Sequence, residues 1–124
     1  MGDDDAGPNT GGMGAYSPVP FVDDATAERI RTDVVERTIR AMAHEGVPYR
    51  GVLYAGLMLT DAGPRVLEFT CRFGDPETQA LMPRLASEPA ALFLACARGE
   101  LPSRRVVLRP GACVTVVLAS GGYP

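Results

Sequence analysis

Between Asp24 and Glu45, Ile30, Val34, Val35, Thr38, Ile39, Met42 and Ala43 recur at intervals of three and four. That period gathers them on one face of a helix, with Arg29, Arg31, Glu36, Arg37 and Arg40 on the solvated side. Asp24 or Thr26 can cap its start, and Gly46 suits its stop. The pattern then changes. Gly51 to Leu59 is a mostly apolar run of strand length, expected to be covered on both faces. Thr60 to Pro64 carries turn chemistry, and Arg65 to Cys71 alternates apolar and polar before breaking at Gly74-Asp75-Pro76. Two such runs around a turn predict an antiparallel hairpin. Glu77 to Ala86 and Pro89 to Arg98 are predicted helices, with Pro89 tolerated in a first turn. Gly99 to Gly111 reads as a basic, proline-containing connection, and Ala112 to Ala119 as a final strand. Gly7 to Pro20, built from Gly, Pro, Asn, Thr and Ser, reads as a loop. The order of elements predicts an α+β (mixed α/β) fold, antiparallel strands packed by helices.

Composition narrows the class. A chain of 124 residues suits about one domain, and 46% apolar with 22% charged residues excludes wholesale disorder. The net charge of −3 argues against a nucleic-acid partner. No run approaches the roughly 18 apolar residues that span a bilayer. The opening MGDDDAGPNT lacks the basic start and apolar core of a secretory signal. Cys71, Cys96 and Cys113, an odd number without close pairing, fit a reducing cytosol. The chain opens straight into Asp3-Asp4-Asp5 and closes on an apolar run and a Gly-Gly turn, so both ends are expected to be cut.

Two segments can carry chemistry. In VLEFTCRFGDPETQ, Glu68, Thr70 and Arg72 stand two residues apart, so on a strand all three share a face. A carboxylate and a hydroxyl followed by a guanidinium suit a magnesium-bound polyphosphate. The same spacing fits a solvated strand face with an exposed ion pair. In DDDAGPNTGGMG, a glycine-rich loop with Asn9 and Thr10 can offer N–H groups to an anion, although no Gly-Lys-Ser/Thr follows as in a Walker A loop. A plain surface loop accounts for it equally well. His44 fits a helix C-terminus, Tyr16, Tyr54 and Phe73 fit core or pocket wall, and Arg104, Arg105 and Arg109 fit a solvated connection.

GPNTGGMGAYSP (7–18), Tyr49-Arg50-Gly51-Val52-Leu53-Tyr54-Ala55-Gly56-Leu57-Met58 and EFTCRFGDPETQ (68–79) occur in order, and together they resemble the phosphoribosylamine–glycine ligase (glycinamide ribonucleotide synthetase) family. The closing LASGGYP resembles that family's passage into its small C-terminal domain, so the resemblance covers essentially the whole chain. It implies an incomplete ATP-grasp lobe, with residues 1–100 the C-terminal part of an ATP-grasp domain and 101–124 a connection and the first strand of a truncated C-terminal domain. It implies a cytoplasmic ligase of purine biosynthesis that joins glycine to 5-phosphoribosylamine, using ATP and Mg2+ or Mn2+. Glu68 matches the family's metal-binding glutamate. Position 70, typically asparagine and a second metal ligand, is Thr70 here, which implies a weakened metal contact. Arg72 matches an arginine assigned to phosphate and transition-state charge. Asn9, Thr10, Gly11 and Gly12 match a loop near the substrates. Asp75 and Glu77 match the segment after the arginine, where substrate contact and loop-fixing both remain open.

Family members are several times longer, and their ATP site is built from two lobes that include a lysine. All twelve basic residues here are arginine. The isolated chain is therefore expected to be inactive alone, to need a missing N-terminal half, and to associate through exposed apolar faces. The alternatives are a non-catalytic nucleotide- or metal-binding module and one half of a split synthetase.

Overall fold

The structure, a computed structural model, describes residues 4, 6–7, 11–101 and 106–123. Its elements run β1 (Gly14–Ser17), α1 (Asp24–Ile30), a π-helical segment (Arg31–Glu36), α2 (Arg37–His44), β2 (Tyr54–Thr60), β3 (Gly63–Thr70), α3 (Glu77–Leu81), a 3-10 turn (Met82–Arg84), α4 (Pro89–Arg98) and β4 (Cys113–Val116). This is the expected mixture of helices and antiparallel strands, arranged as two separate pairs, β1–β4 and β2–β3.

α1, the π segment and α2 form one unbroken helical run from 24 to 44. Its cap is Asp23, one residue before the expected start, whose carboxylate accepts from the Thr26 amide at 2.8 Å. Asp24 and Thr26 lie inside the helix, because the capping residue must keep extended backbone, as Asp23 does with ψ 170°. At the other end Gly46 adopts φ +79°, and the amides of Gly46 and Val47 reach back to Ala43 and Met42. Those two bonds close the helix in the Schellman manner, which an L side chain at Gly46 would strain.

The β2–β3 hairpin pairs Thr60 with Gly63 across its turn and carries a bulge between Gly56 and Leu57 that leaves Leu67 as the extra residue. The bulge changes the parity of β3. Beyond it Val66 stands opposite Leu57, and with Phe69 it faces Val34, Thr38 and Met42 of the helical run. Before it Glu68 and Thr70 stand opposite Gly56 and Tyr54 on the other face. β2 is not covered on both faces as its composition suggests; Met58 is 52% exposed.

The segment read as loop contains a strand. β1 pairs with β4, Tyr16 opposite Val114 and Gly14 opposite Val116, and the Val117 amide continues the pairing to Met13. A four-residue strand whose partner lies about a hundred positions away leaves no local periodicity to read. α3 packs on this pair, with Ala80 only 2% exposed. The predicted helix 77–86 is shorter than expected because Pro83 has no amide for the Gln79 carbonyl. The Cys113 thiol points at that carbonyl instead, at 3.8 Å. α4 matches its predicted span, with Pro89 in its first turn and Gly99 closing it at φ +72°. Arg84 ties the 3-10 turn to β1 by donating to Ser17 Oγ at 2.6 Å.

Buried apolar side chains are few among the described residues: Val34, Pro76, Ala80 and Leu85. The accessible surface of 9430 Å² exceeds the roughly 6,400 Å² typical of a compact monomer of this mass. On β1–β4 the large apolar side chains Tyr16, Val114 and Val116 face outward, while Ala15, Ser17, Cys113 and Thr115 are half-buried.

Candidate functional site

The site grows from the end of the hairpin. Antiparallel pairing puts Tyr54, Gly56, Glu68 and Thr70 on one face, as two directly opposed pairs. Gly56 matters here: a Cβ at that position would lie 2.9 Å from Glu68 Cγ and 3.4 Å from its Oε1. The missing side chain on β2 is the space into which Glu68 reaches.

β3 ends at Thr70, so strand alternation does not extend to Arg72. Arg72 sits in the following bend, exposed, and its guanidinium donates to the Phe73 carbonyl at 2.8 Å. The expectation that Glu68, Thr70 and Arg72 share one strand face therefore holds for the first two and fails for the third. The reason is the turn of Gly74-Asp75-Pro76, which draws the chain out of the sheet toward α3. Thr70 Oγ1 makes a long contact of 3.5 Å to the Arg72 carbonyl. Phe73 packs its ring on Phe93 of α4, centroids 5.7 Å apart.

The turn is fixed by its own polar groups. The Thr78 amide donates to the Gly74 carbonyl at 3.0 Å, and Asp75 accepts from Gln79 Nε2 at 2.7 Å. Glu77 opens α3, where a carboxylate is favoured by the helix dipole. Tyr54 Oη donates to Glu77 Oε1 at 3.4 Å. The Tyr54 phenol is pushed above its ordinary range, first by burial, then by the negative charges of Glu77 and Glu68 and the hydrogen bond to Glu77.

The glycine-rich segment meets the same turn. A Cβ on Gly12 would lie 3.6 Å from the Asp75 carbonyl oxygen, while Gly11 has nothing within 4 Å. Asn9 and Thr10, with Arg104 and Arg105, lie outside the described residues. Two motifs more than fifty residues apart are thus adjoining in space. Tyr54 is the residue that sequence reasoning set aside as core or pocket wall. Its signal was the hairpin register, invisible until the bulge is placed.

Among the described residues no three His, Cys, Asp or Glu side chains are grouped to hold a metal. Glu68 and Thr70 offer one carboxylate and one hydroxyl on a common face. Such a hard-oxygen pair fits magnesium, which binds through one or two carboxylates together with water and substrate phosphates.

Comparison with known proteins agrees with the family resemblance that these motifs carry. Residues 1–78 match the family model described as phosphoribosylglycinamide synthetase, ATP-grasp (A) domain. The chain is 50% identical over 124 residues to the phosphoribosylamine–glycine ligase of Rhizobium meliloti, covering 100% of this chain and 29% of that protein. It is 52% identical over 123 residues to the trifunctional purine biosynthetic protein adenosine-3 of Gallus gallus, covering 98% of this chain and 12% of that one. The crystal structure of phosphoribosylamine–glycine ligase from Thermotoga maritima superposes with a TM-score of 0.82 at 42% identity, over 98% of this chain and 30% of that chain. The chain thus spans about three tenths of the length of its single-enzyme relatives. On the match over its first 78 residues, this chain belongs to the phosphoribosylglycinamide synthetase ATP-grasp domain family.

Proposed function

We propose that this chain is part of an ATP-dependent carbon–nitrogen ligase that joins glycine to 5-phosphoribosylamine, giving glycinamide ribonucleotide, ADP and phosphate for purine biosynthesis. In this reading ATP activates the glycine carboxylate as an acyl phosphate, and the amine of phosphoribosylamine attacks it. The observation that carries it is the convergence of the matched segments: Gly12 against Asp75, Tyr54 on Glu77, and Glu68 in the space left by Gly56.

Glu68 and Thr70 would hold magnesium or manganese, which when bound neutralises charge on the nucleotide's phosphates. Arg72, the one arginine in the turn between β3 and α3, would leave its carbonyl contact to stabilise the transferring phosphoryl group. Gly11 and Gly12, with Asn9 and Thr10, would line the substrate side, and Asp75 would hold the adjoining turn. Residues 1–100 would be the C-terminal part of the ATP-grasp domain. Residues 101–124 would be a connection and the first strand of the next domain, returning here to pair with β1.

The partner is the remaining polypeptide that full-length relatives carry, and Tyr16, Val114 and Val116 are apolar surface for it to cover. A cytoplasmic location accords with three unpaired cysteines. Among the described residues no helix is long and apolar enough to cross a membrane.

The test is ADP release by the purified chain with glycine, freshly generated phosphoribosylamine and magnesium–ATP, alone and with the remaining polypeptide of a relative. Turnover only in the mixture is expected. Magnesium–ATP stabilisation without turnover in either case would favour a non-catalytic binding module. No stabilisation and no turnover would overturn the assignment.

A further inference from the structure

The Glu77 carboxylate can hold a ligand or hold its own turn, and the structure favours the second. Gly74 is buried, and a Cβ built there would overlap Glu77 Oε2, so the side chain folds back into space that glycine alone leaves open. From the other side Tyr54 Oη donates to Glu77 Oε1 at 3.4 Å. Tyr54 itself stands opposite Thr70 and on the face that carries Glu68. The carboxylate therefore links the hairpin to the segment bearing Arg72 and Asp75. Two backbone bonds continue the link, Thr78 N–H to Gly74 at 3.0 Å and Gln79 N–H to Pro76 at 3.1 Å.

We propose that Tyr54 and Glu77 are a positioning pair that fixes the Arg72–Asp75 turn against the Glu68–Thr70 face, and that Glu77 serves the substrates only through that turn. The meaning of the turn rests on the ligase reading; the pair itself does not. A glutamine carbonyl accepts a phenolic O–H as a carboxylate oxygen does, whereas an amide does not replace an anion that contacts a cationic ligand.

The experiment is amide hydrogen exchange on the chain and on its Tyr54→Phe, Glu77→Gln, Glu77→Ala and Tyr54→Phe/Glu77→Ala variants. Tyr54→Phe should speed exchange at Thr78 and Gln79 by about two- to tenfold, the worth of one hydrogen bond. Glu77→Gln should stay near the parent, and Tyr54→Phe should add nothing once Glu77 is alanine. Unchanged exchange in Tyr54→Phe, or an undiminished effect in the double variant, overturns the pair. Thermal shifts with magnesium–ATP on the same variants, each mixed with the remaining polypeptide of a relative, read the second half of the proposal. Glu77→Gln keeping the parent's shift supports it; a loss as large as that of Glu77→Ala overturns it. A parent mixture with no shift counts against the ligase reading alone, and the exchange data still decide the pair.

Discussion

Gly12 lies against Asp75, in reach of its carbonyl at ordinary contact distance, with its own backbone at φ +79°. Space would admit a methyl group there; the backbone angle would not. Gly12→Ala should cost about 1 kcal/mol through left-handed strain. Gly11→Ala, in open space and without a positive φ, should stay within about 0.5 kcal/mol of the parent. Urea unfolding midpoints of the two variants check the contrast, and equal losses would contradict it.

Gly56→Ala probes the site rather than the fold. Its Cβ would press on Glu68 Cγ, and Glu68 is exposed and free to swing aside. Stability should change by less than about 1 kcal/mol. In the mixture with the remaining polypeptide, stabilisation by magnesium–ATP should fall, because the carboxylate is displaced from the Thr70 face. A thermal-shift titration reads both quantities.

In the mixture with the remaining polypeptide of a relative, Thr70→Asn should lower the magnesium concentration needed for half-maximal turnover severalfold. The threonine hydroxyl reaches less far than an amide carbonyl, and among the described residues its hydrogen-bond partner is the distant Arg72 carbonyl. An unchanged magnesium dependence would count against metal contact at position 70.

The raised phenol of Tyr54 predicts alkaline sensitivity. The unfolded chain releases this proton near pH 10, the folded chain only at higher pH. The folded state thus binds more protons in that window, and stability falls as pH rises through it. The Tyr49 phenol, raised mainly by the neighbouring Cys71, acts with the same sign. Tyr54→Phe should therefore flatten the loss above pH 10 in part, measured by denaturant unfolding from pH 8 to 11.

Asp23 predicts the opposite limb. Its carboxyl is held below the usual carboxylate range by the hydrogen bond to Thr26, so its contribution is present at neutral pH and lost as pH falls through the folded value. Asp23→Asn should keep the cap and lose the acid dependence, while Asp23→Ala should fray α1 at every pH. Circular dichroism across pH 2 to 7 separates the two.

Local chemistry alone determined a good part of this molecule. The helical run from 24 to 44, the hairpin and α4 were legible because each is written in contiguous residues: a repeating apolar face, a turn between strand-like runs, a proline at the start and a glycine at the stop. The segments that identify the family were legible for the same reason. Three things were settled only in three dimensions. β1 looked like loop because its stabilising partner is β4, at the far end of the chain; β4 was legible from its own apolar run, but pairing with so distant a strand leaves no mark on the four residues of β1. Arg72 looked like a third residue of the strand face, but the turn that carries α3 ends the strand at Thr70. Tyr54 looked like packing, until the bulge at Leu67 fixed the register that places it across from Thr70 and within reach of Glu77. Pattern along a chain reports what each residue prefers. Register and turn geometry, set by contacts between residues far apart in sequence, decide which of those preferences meet.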